Sequence, residues 1–278
     1  MNSRSNKTAN SFLIYLIAIV IVLISIAPIV WLFITSFKAR VDIFAIPPIW
    51  FPKINFENYI QEFTGGSSRL PYLFNSIKVG LFSTLIVVIL GTFAAYGLAK
   101  FPIPGKKNWE FWILSVRMMP PVAVVIPLYM IMRSIKLLDT STGIILAHVG
   151  FNLPFAIWML AGFLRQIPKD IEEAALIDGC NWFQAMIRIS LPLSTPGLAT
   201  ISIFSFMFSW NELLAALVLT GRSAKTLPVA ISEYWSNTQI RWEAMAAVSI
   251  VYIIPIVIVT FIIQRYIVRG LTMGAVKE

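Results

Sequence analysis

The sequence predicts an all-α membrane protein built as a bundle of six transmembrane helices. Of its 278 residues, 58% are hydrophobic and only 13% are charged, and the mean hydropathy is +0.80. That composition is too apolar for a surface that faces water. The apolar runs are continuous, whereas strands of a transmembrane barrel alternate between apolar and polar residues. At about 20 residues for each crossing, the length allows about six helices in a single domain, 1–278.

Charged residues mark the ends of the predicted spans, because a charge at the centre of a bilayer costs at least about 2.5 kcal/mol. The first apolar run is longer than the hydrophobic region of a signal peptide, about 7–15 residues, so we expect it to remain as an anchor. In the third span, Pro120, Pro121 and Pro127 each remove a backbone donor and favour a kink. The expected spans lie at about 12–37, 76–99, 109–133, 142–164, 197–220 and 244–264.

The rest of the composition excludes several classes of function. One Cys and one His exclude a disulfide framework and a His-rich metal cluster, so we expect no metal site. The net charge of +9 is scattered between apolar runs and forms no basic face, which argues for a lipid bilayer and against nucleic acid as a partner. Lys and Arg are almost evenly divided between the two sides, so charge leaves the orientation open.

Two loops contain segments with more than one interpretation. After Asn55, a short amphipathic helix is predicted by the spacing of Phe56, Tyr59, Ile60 and Phe63; it would lie on lipid or dock a partner. Further along, Tyr234 and Trp235 suit either the membrane interface or a protein contact.

The polar segment 170–197 carries the strongest functional pattern. Pro168 suits a helix start, and Glu172 and Glu173 lie in the first turns, where the helix dipole favours negative charge. Ala174 offers a small, smooth surface to another protein, and Gly179 permits a left-handed turn.

A second short helix is expected after this turn. Trp182, Phe183, Met186 and Ile187 form an apolar stripe that would pack on the bundle. We therefore expect a push on the first short helix to be passed to the fifth span.

These residues resemble the integral-membrane permease subunits of ABC importers that work with a solute-binding protein. The loop motif of that family is EAA, three residues, G, nine residues, then I-x-L-P, and its fixed positions here are Glu173, Ala174, Ala175, Gly179, Ile189, Leu191 and Pro192. The segments 117–129, 209–220 and 264–278 are similar to the carbohydrate-uptake, maltose-type branch. Where the family more often has Ala, this chain has Cys180, which we interpret as a packing residue.

The resemblance implies the orientation and the partners. It places the loop 165–196 and both termini in the cytoplasm and the loop 38–72 outside. It implies a second homologous permease subunit, two ATPase subunits, an external solute-binding protein and a carbohydrate substrate, expected to be an oligosaccharide or a disaccharide. The residues expected to couple to the ATPase are Glu172, Glu173, Ala174, Ala175, Asp178, Gly179, Leu191 and Pro192. The tail 271–278 would reach the ATPases or form a disordered end.

The chain lacks GxxxxGK[ST], the loop that cradles nucleotide phosphates. We therefore expect a transport subunit and not an enzyme, with no catalytic residue and no cofactor of its own. ATP and Mg are expected on the partner ATPase subunits.

Polar residues inside the spans are candidates for a translocation path. Counting helical rise places Arg117 about 12 Å and Glu212 about 22 Å from the cytoplasmic edge, so these two are not expected to pair. His148 comes out near the depth of Glu212, which predicts a shared polar cluster, either in the path or as a packing network. Trp210 could stack on a sugar ring. The full set of candidates is Arg117, His148, Asn152, Trp210, Asn211 and Glu212.

Two alternatives remain open at this stage. The same machinery could carry a polyol or a sugar phosphate. An ion-coupled secondary transporter is the alternative from another class, although such proteins often contain inverted repeats, and no convincing repeat is present in the sequence.

Overall fold

The computed structural model describes residues 2–66, 68–235 and 240–273, with side chains described between 13 and 262 outside those gaps. Within these residues the chain is predominantly helical and has no β-strand, which confirms the predicted all-α class. The helices are α1 (Asn2–Ser36), α2 (Arg40–Ile43), α3 (Glu57–Thr64), α4 (Leu70–Lys100), α5 (Lys106–Arg117), α6 (Pro121–Ser134), α7 (Ser141–Arg165), α8 (Lys169–Ile177), α9 (Trp182–Ala185), a π-helical turn (Met186–Ser190), α10 (Leu191–Leu193), α11 (Thr195–Trp210), α12 (Leu214–Leu219), α13 (Leu227–Ser232) and α14 (Trp242–Met273).

Four described helices are long and apolar enough to cross a bilayer, and six spans result if each of two bent helix pairs counts as one. The bent pairs are Lys106–Arg117 with Pro121–Ser134, at 90°, and Trp182–Leu193 with Thr195–Trp210, at 79°. The bilayer-spanning character predicted from composition is thus present, but two of the spans are not straight rods.

The third span, expected at 109–133 with a kink at its prolines, consists of two separate helices. Helix α5 ends at Arg117 and α6 begins at Pro121. Prolines lack the N–H that a continuous helix needs, and a residue that precedes proline avoids helical backbone angles. Pro120 has the extended ψ of 126° that this rule requires, and the chain turns sharply at this point.

The continuous fifth helix expected at 197–220 is also interrupted. Helix α11 ends at Trp210, and α12 begins only at Leu214. The carboxylate of Glu212 accepts hydrogen bonds from the backbone N–H groups of Ala215 (2.8 Å) and Ala216 (3.0 Å), so a side chain satisfies the donors that the break exposes.

Contacts within the chain divide it into two compact units. The first consists of 1–69 and 231–253. The most apolar 18-residue stretch of α1 has no residue buried within the chain. An entirely apolar helix surface of this kind requires lipid or another protein around it.

Helix α3, in this first unit, exposes apolar residues and buries polar ones within the chain. Phe56 and Ile60 are exposed, whereas Asn58 and Glu62 are buried. The Asn58 amide donates to the carbonyls of Ser36 (2.9 Å) and Lys38 (3.0 Å). Hydrogen bonds thus fix the polar side of this short helix on the chain. The exposed apolar side remains available to lipid or to a partner, which are the two expected interpretations.

The buried Glu62 of this unit anchors the segment that follows α13. It accepts a hydrogen bond from the Tyr234 hydroxyl and pairs with Arg241 at 3.1 Å. Burial and the Glu62 carboxylate both raise the pKa of Tyr234. Tyr234 is thus a buried partner of Glu62, while the neighbouring Trp235 is exposed.

The second unit, 70–230 and 254–278, contains the helices that position the candidate site. Helix α4 packs on α7 and α11, and α5 also packs on α7. Small residues allow the close approaches: a Cβ on Gly197 would lie 2.6 Å from the Phe163 ring, and one on Gly80 would lie 2.9 Å from Phe206. Close contact at glycine is a common basis of helix packing in membranes.

Candidate functional site

Helix α8 ends in a turn that only a glycine adopts without strain. Gly179 has φ +91° and its N–H donates to the Leu176 carbonyl at 3.1 Å. The N–H of Cys180 donates to the Ala175 carbonyl at 2.9 Å. This pair of bonds is a Schellman motif, which satisfies the last carbonyls of the helix and turns the chain sharply.

The coupling residues expected on α8 divide between two faces. Glu173 and Ala174 are exposed, as are Asp178 and Gly179 after the helix end. Ile171 and Ile177 add exposed apolar surface, with Ile177 86% exposed. Small, acidic and apolar groups therefore share an accessible surface.

The buried face of α8 contains Glu172 and Ala175. Glu172 lies against Lys100, at the end of α4, and Ser190, in the π-helical turn. No sequence pattern predicts this contact, because a lysine at the position of Lys100 is equally typical of the charged end of a span.

The second short helix, α9, starts with a reciprocal cap. The Asn181 side chain accepts from the Gln184 N–H at 2.9 Å, and the Gln184 side chain accepts from the Asn181 N–H at 3.0 Å. Of the expected apolar stripe, Met186 is buried, whereas Ile187 is exposed.

Two further members of that stripe contact α4 and the loop that follows it through their rings. Phe183 is stacked with Phe93 at 6.3 Å, and Trp182 lies 5.2 Å from Phe101, although both side chains keep substantial exposure. The chain then continues through Leu191, half-buried, and Pro192, exposed, into α11.

A cavity of about 450 Å³ lies among α5, α6, α7 and α11. Most of its wall is apolar, and its three side chains with hydrogen-bonding groups belong to the predicted path residues Arg117, Asn152 and Glu212. Phe151 and Phe208 add aromatic surface. The cavity is bounded by both helix breaks, so the same prolines and the same carboxylate that interrupt the spans also shape it.

Arg117 is held at the wall by one carbonyl and two rings. Its Nη1 donates to the Phe151 carbonyl at 2.9 Å, and the guanidinium carbon lies 4.3 Å from the centre of the Phe208 ring and 5.3 Å from that of Phe155. Cation–π contacts of this kind stabilise a cation in partly dry surroundings. Arg117 and Glu212 line the same cavity. Counting the helical rise per residue placed them at different depths, because such a count assumes straight helices.

The His148–Glu212 contact that the depth count predicts is present. Nε2 of His148 lies 3.3 Å from Oε2 of Glu212. His148 is 1% exposed and lies behind the carboxylate, outside the lining of the cavity. A separate set of hydrogen bonds joins α7, α11 and α4: Asn152 donates to Ser209 Oγ at 3.0 Å, and Ser209 Oγ lies 2.8 Å from Ser83 Oγ.

Two path candidates lie elsewhere. Trp210 is 1% exposed and stacks on Phe206 at 5.4 Å, so the structure places it in the packing of α11 and not at the cavity wall. Asn211 is exposed and donates to the Met207 carbonyl at 2.8 Å. Among the described residues, no group of three or more His, Cys, Asp or Glu side chains could hold a metal ion.

Sequence reasoning missed a carboxylate that locks two loops together. Asp139 accepts hydrogen bonds of 2.8–3.1 Å from the backbone N–H groups of 221–224. Burial raises the pKa of Asp139, but these donors lower it more, to about 2. The sequence of residues 221–224, Gly-Arg-Ser-Ala, contains no motif that predicts this group of backbone donors around a carboxylate.

Comparison with known proteins identifies the family. The profile of the family described as "Binding-protein-dependent transport system inner membrane component" matches residues 87–273, which include the cavity and all of α8. The chain belongs to this family of transport permeases. The family predicted from the EAA motif is therefore confirmed.

Relatives of this permease are similar over nearly their whole length. "Trehalose transport system permease protein SugB" of Mycobacterium tuberculosis (strain CDC 1551 / Oshkosh) is 41% identical, over 91% of this chain and 93% of the relative. "Sulfoquinovosyl glycerol transport system permease protein SmoH" of Agrobacterium fabrum (strain C58 / ATCC 33970) is 34% identical, over 95% of this chain and 93% of the relative.

The permease fold also matches a solved transporter structure. A chain of a bacterial ABC transporter involved in the import of the acidic polysaccharide alginate superposes with a TM-score of 0.77. The identity is 24%, and the match covers 96% of this chain and 99% of the other. This likeness confirms the helical membrane fold.

Proposed function

We propose that this permease forms half of the transmembrane pathway of an ATP-driven importer for a small carbohydrate. The observation that carries the proposal is the exposed face of α8, acidic and small at Glu173 and Ala174, on a short helix held firmly to membrane-spanning helices. A short helix with an exposed face of that kind suits docking into a cleft of another protein.

The partners follow from the same surface and from the family. A second, similar permease completes the pathway, two ATPase subunits bind ATP and Mg, and a solute-binding protein delivers the substrate outside. Helix α8 and both termini then lie in the cytoplasm, and the permease holds no cofactor itself. The unburied surface of α1 supports additional covering by lipid or by the second permease. The tail expected to reach the ATPases extends beyond Met273, outside the described residues.

A carbohydrate suits the chemistry of the cavity. Sugar rings stack their apolar faces on aromatic side chains, here Phe151 and Phe208, while their hydroxyls need donors and acceptors such as Arg117, Asn152 and Glu212. A volume of about 450 Å³ accommodates a mono- or disaccharide, and two relatives are named for trehalose and for sulfoquinovosyl glycerol. We propose that this cavity forms one wall of the path.

Reconstitution tests the proposal. The permease is copurified from its own cells with its bound chains, placed in vesicles with the solute-binding protein, and supplied with radiolabelled trehalose with or without internal ATP. Uptake that requires ATP and the binding protein supports the importer. Uptake by the permease alone, driven by an ion gradient, would establish a secondary transporter instead.

The solute is identified in the same preparation. Mass spectrometry of the ligand extracted from the binding protein distinguishes a neutral sugar from a polyol or a sugar phosphate. The identified solute is then tested as a competitor of labelled trehalose uptake, beside a neutral sugar, a polyol and a sugar phosphate. If no sugar competed, the carbohydrate assignment would be contradicted.

A further inference from the structure

The first short helix of the coupling loop is fastened by a buried ion pair. Nζ of Lys100 lies 3.0 Å from Oε2 of Glu172, and each side chain is only 3% exposed. Buried ion pairs need additional hydrogen bonds to offset the loss of hydration. Both partners have them here: Nζ of Lys100 also donates to the Ile167 carbonyl at 3.0 Å, and Ser190 Oγ donates to the second carboxylate oxygen of Glu172.

This cluster joins three parts of the chain at one point. Lys100 is the last residue of α4, Glu172 lies in the first turn of α8, and Ser190 ends the π-helical turn that leads through α10 into α11. Helices α4 and α11 pack on each other and on α7, and α7 and α11 contribute to the cavity wall. A displacement of α8 therefore acts directly on the end of α4 and on the entry to α11, in the same unit as the cavity.

The neighbouring carboxylate has the opposite exposure. Glu173 follows Glu172 directly, and successive residues of an α-helix lie about 100° apart around its axis. Glu173 is accordingly exposed on the proposed docking face, whereas Glu172 is buried beneath it. One turn of α8 thus places the Glu173 carboxylate towards the proposed partner and the Glu172 carboxylate towards the helix bundle.

Stability alone is a weak reason for this arrangement. A buried ion pair can often be replaced by uncharged residues of similar volume without loss of stability, and in some proteins such pairs instead fix register. The exposed Arg165–Glu110 pair of the same chain shows that helices here also meet through surface charges.

We propose that Lys100, Glu172 and Ser190 form a mechanical joint, in which Glu172 is a positioning residue that makes α8, the end of α4 and the entry to α11 move as one body. The inference rests on the proposed coupling of α8 to an ATPase. Without the joint, the ATPase still binds the exposed face and hydrolyses ATP, but the movement of α8 is poorly transmitted.

Three variants of the copurified complex test the joint. Glu172→Gln and Lys100→Met each leave one partner unpaired. The double variant removes both charges, while the oxygen of the introduced glutamine amide can still accept a hydrogen bond from Ser190. Glu110→Gln, which removes one partner of the exposed pair with Arg165 and lies outside the coupling loop, is the matched control. For each complex, solute uptake and ATP hydrolysis are measured in the same vesicles and expressed as solute transported per ATP.

The double variant decides between a joint and a structural pair. We expect it to recover the membrane yield that either single variant loses, while transport per ATP remains about tenfold below the unmodified complex, within the usual range of coupling energies. We expect Glu110→Gln to leave both ATPase retention and transport per hydrolysed ATP unchanged. Full recovery of transport per ATP in the double variant would overturn the joint.

A distance measurement adds a second readout. In a Cys180→Ser background, spin labels on cysteines introduced at the exposed positions Ile177 and Leu90 report the distance between α8 and α4. We expect a narrow distribution of this distance in the parent complex and a broader one in the double variant. A distance distribution of unchanged width would also overturn the joint. If the unmodified complex shows no ATP-dependent uptake, the proposed function fails independently, because the distance readout does not depend on transport.

Discussion

Replacing Gly179 with valine separates the shape of the coupling loop from its contacts. Gly179 has φ +91°, a conformation that costs an L-residue roughly 1–2 kcal/mol, and a β-branched side chain more. Apart from the glycine and its two chain neighbours, no residue has an atom within 4 Å of a Cβ built at this position, so the cost is confined to the local backbone. A loss of that size lowers the ratio of formed to unformed turn by a factor of about 5–30.

Gly105 provides the matched control. It also has positive φ, +68°, and open space around an added Cβ, but it lies in the turn before α5, outside the coupling loop. Gly105→Val should therefore impose a similar backbone strain without distorting α8.

The assay compares the two variants in recovery of the ATPase subunits with the tagged permease and in ATP-driven uptake. We expect Gly179→Val to reduce both, by up to the factor of about 5–30 set by the strain energy, while Gly105→Val retains the ATPase. Equal losses in the two variants would mean that general destabilisation explains the effect. Unchanged ATPase recovery and uptake in Gly179→Val would refute the role of the turn.

Three further outcomes are expected. Gly197→Ala, which forces a Cβ to within 2.6 Å of a packed ring, should lower the free energy of unfolding by about 1–3 kcal/mol in thermal unfolding followed by tryptophan fluorescence, whereas Gly162→Ala, with open space, should not. Glu212→Gln should lower uptake with complex yield preserved; intact uptake with a reduced yield would assign the carboxylate to packing alone. Because the pKa of Asp139 is lowered, its hydrogen bonds to the backbone of 221–224 stabilise the fold fully above about pH 4, the usual carboxyl pKa. This stabilisation is lost as the pH falls towards about 2. Asp139→Asn should speed hydrogen exchange of the amides of 221–224 at pH 7, and equal exchange rates in variant and parent would contradict the lock.

The fold class and the family were predictable because they depend on local signals. Hydropathy reports each span independently of its neighbours, and the spacing from Glu173 to Pro192 is a property of the linear chain. The His148–Glu212 contact was also within reach, since depth along two helices follows from counting residues.

The interruptions of the spans were only half predictable. Pro120 and Pro121 signalled a kink in the third span, but nothing in their identity fixed the angle at 90°. The break after Trp210 had no such signal, because it depends on a Glu212 carboxylate folding back onto the N–H groups of Ala215 and Ala216.

The sequence by itself determined that the chain lies in a membrane, that it is helical, and that 165–196 contains a family-specific loop. Only the tertiary structure decided which of two adjacent carboxylates faces outward, since Glu172 and Glu173 have the same chemistry and differ in what packs beside them. The pairing of Glu172 with Lys100 joins residues that are far apart in the chain, and the cavity joins segments from four helices. Such contacts depend on the packing of distant segments, which hydropathy and motif spacing do not encode.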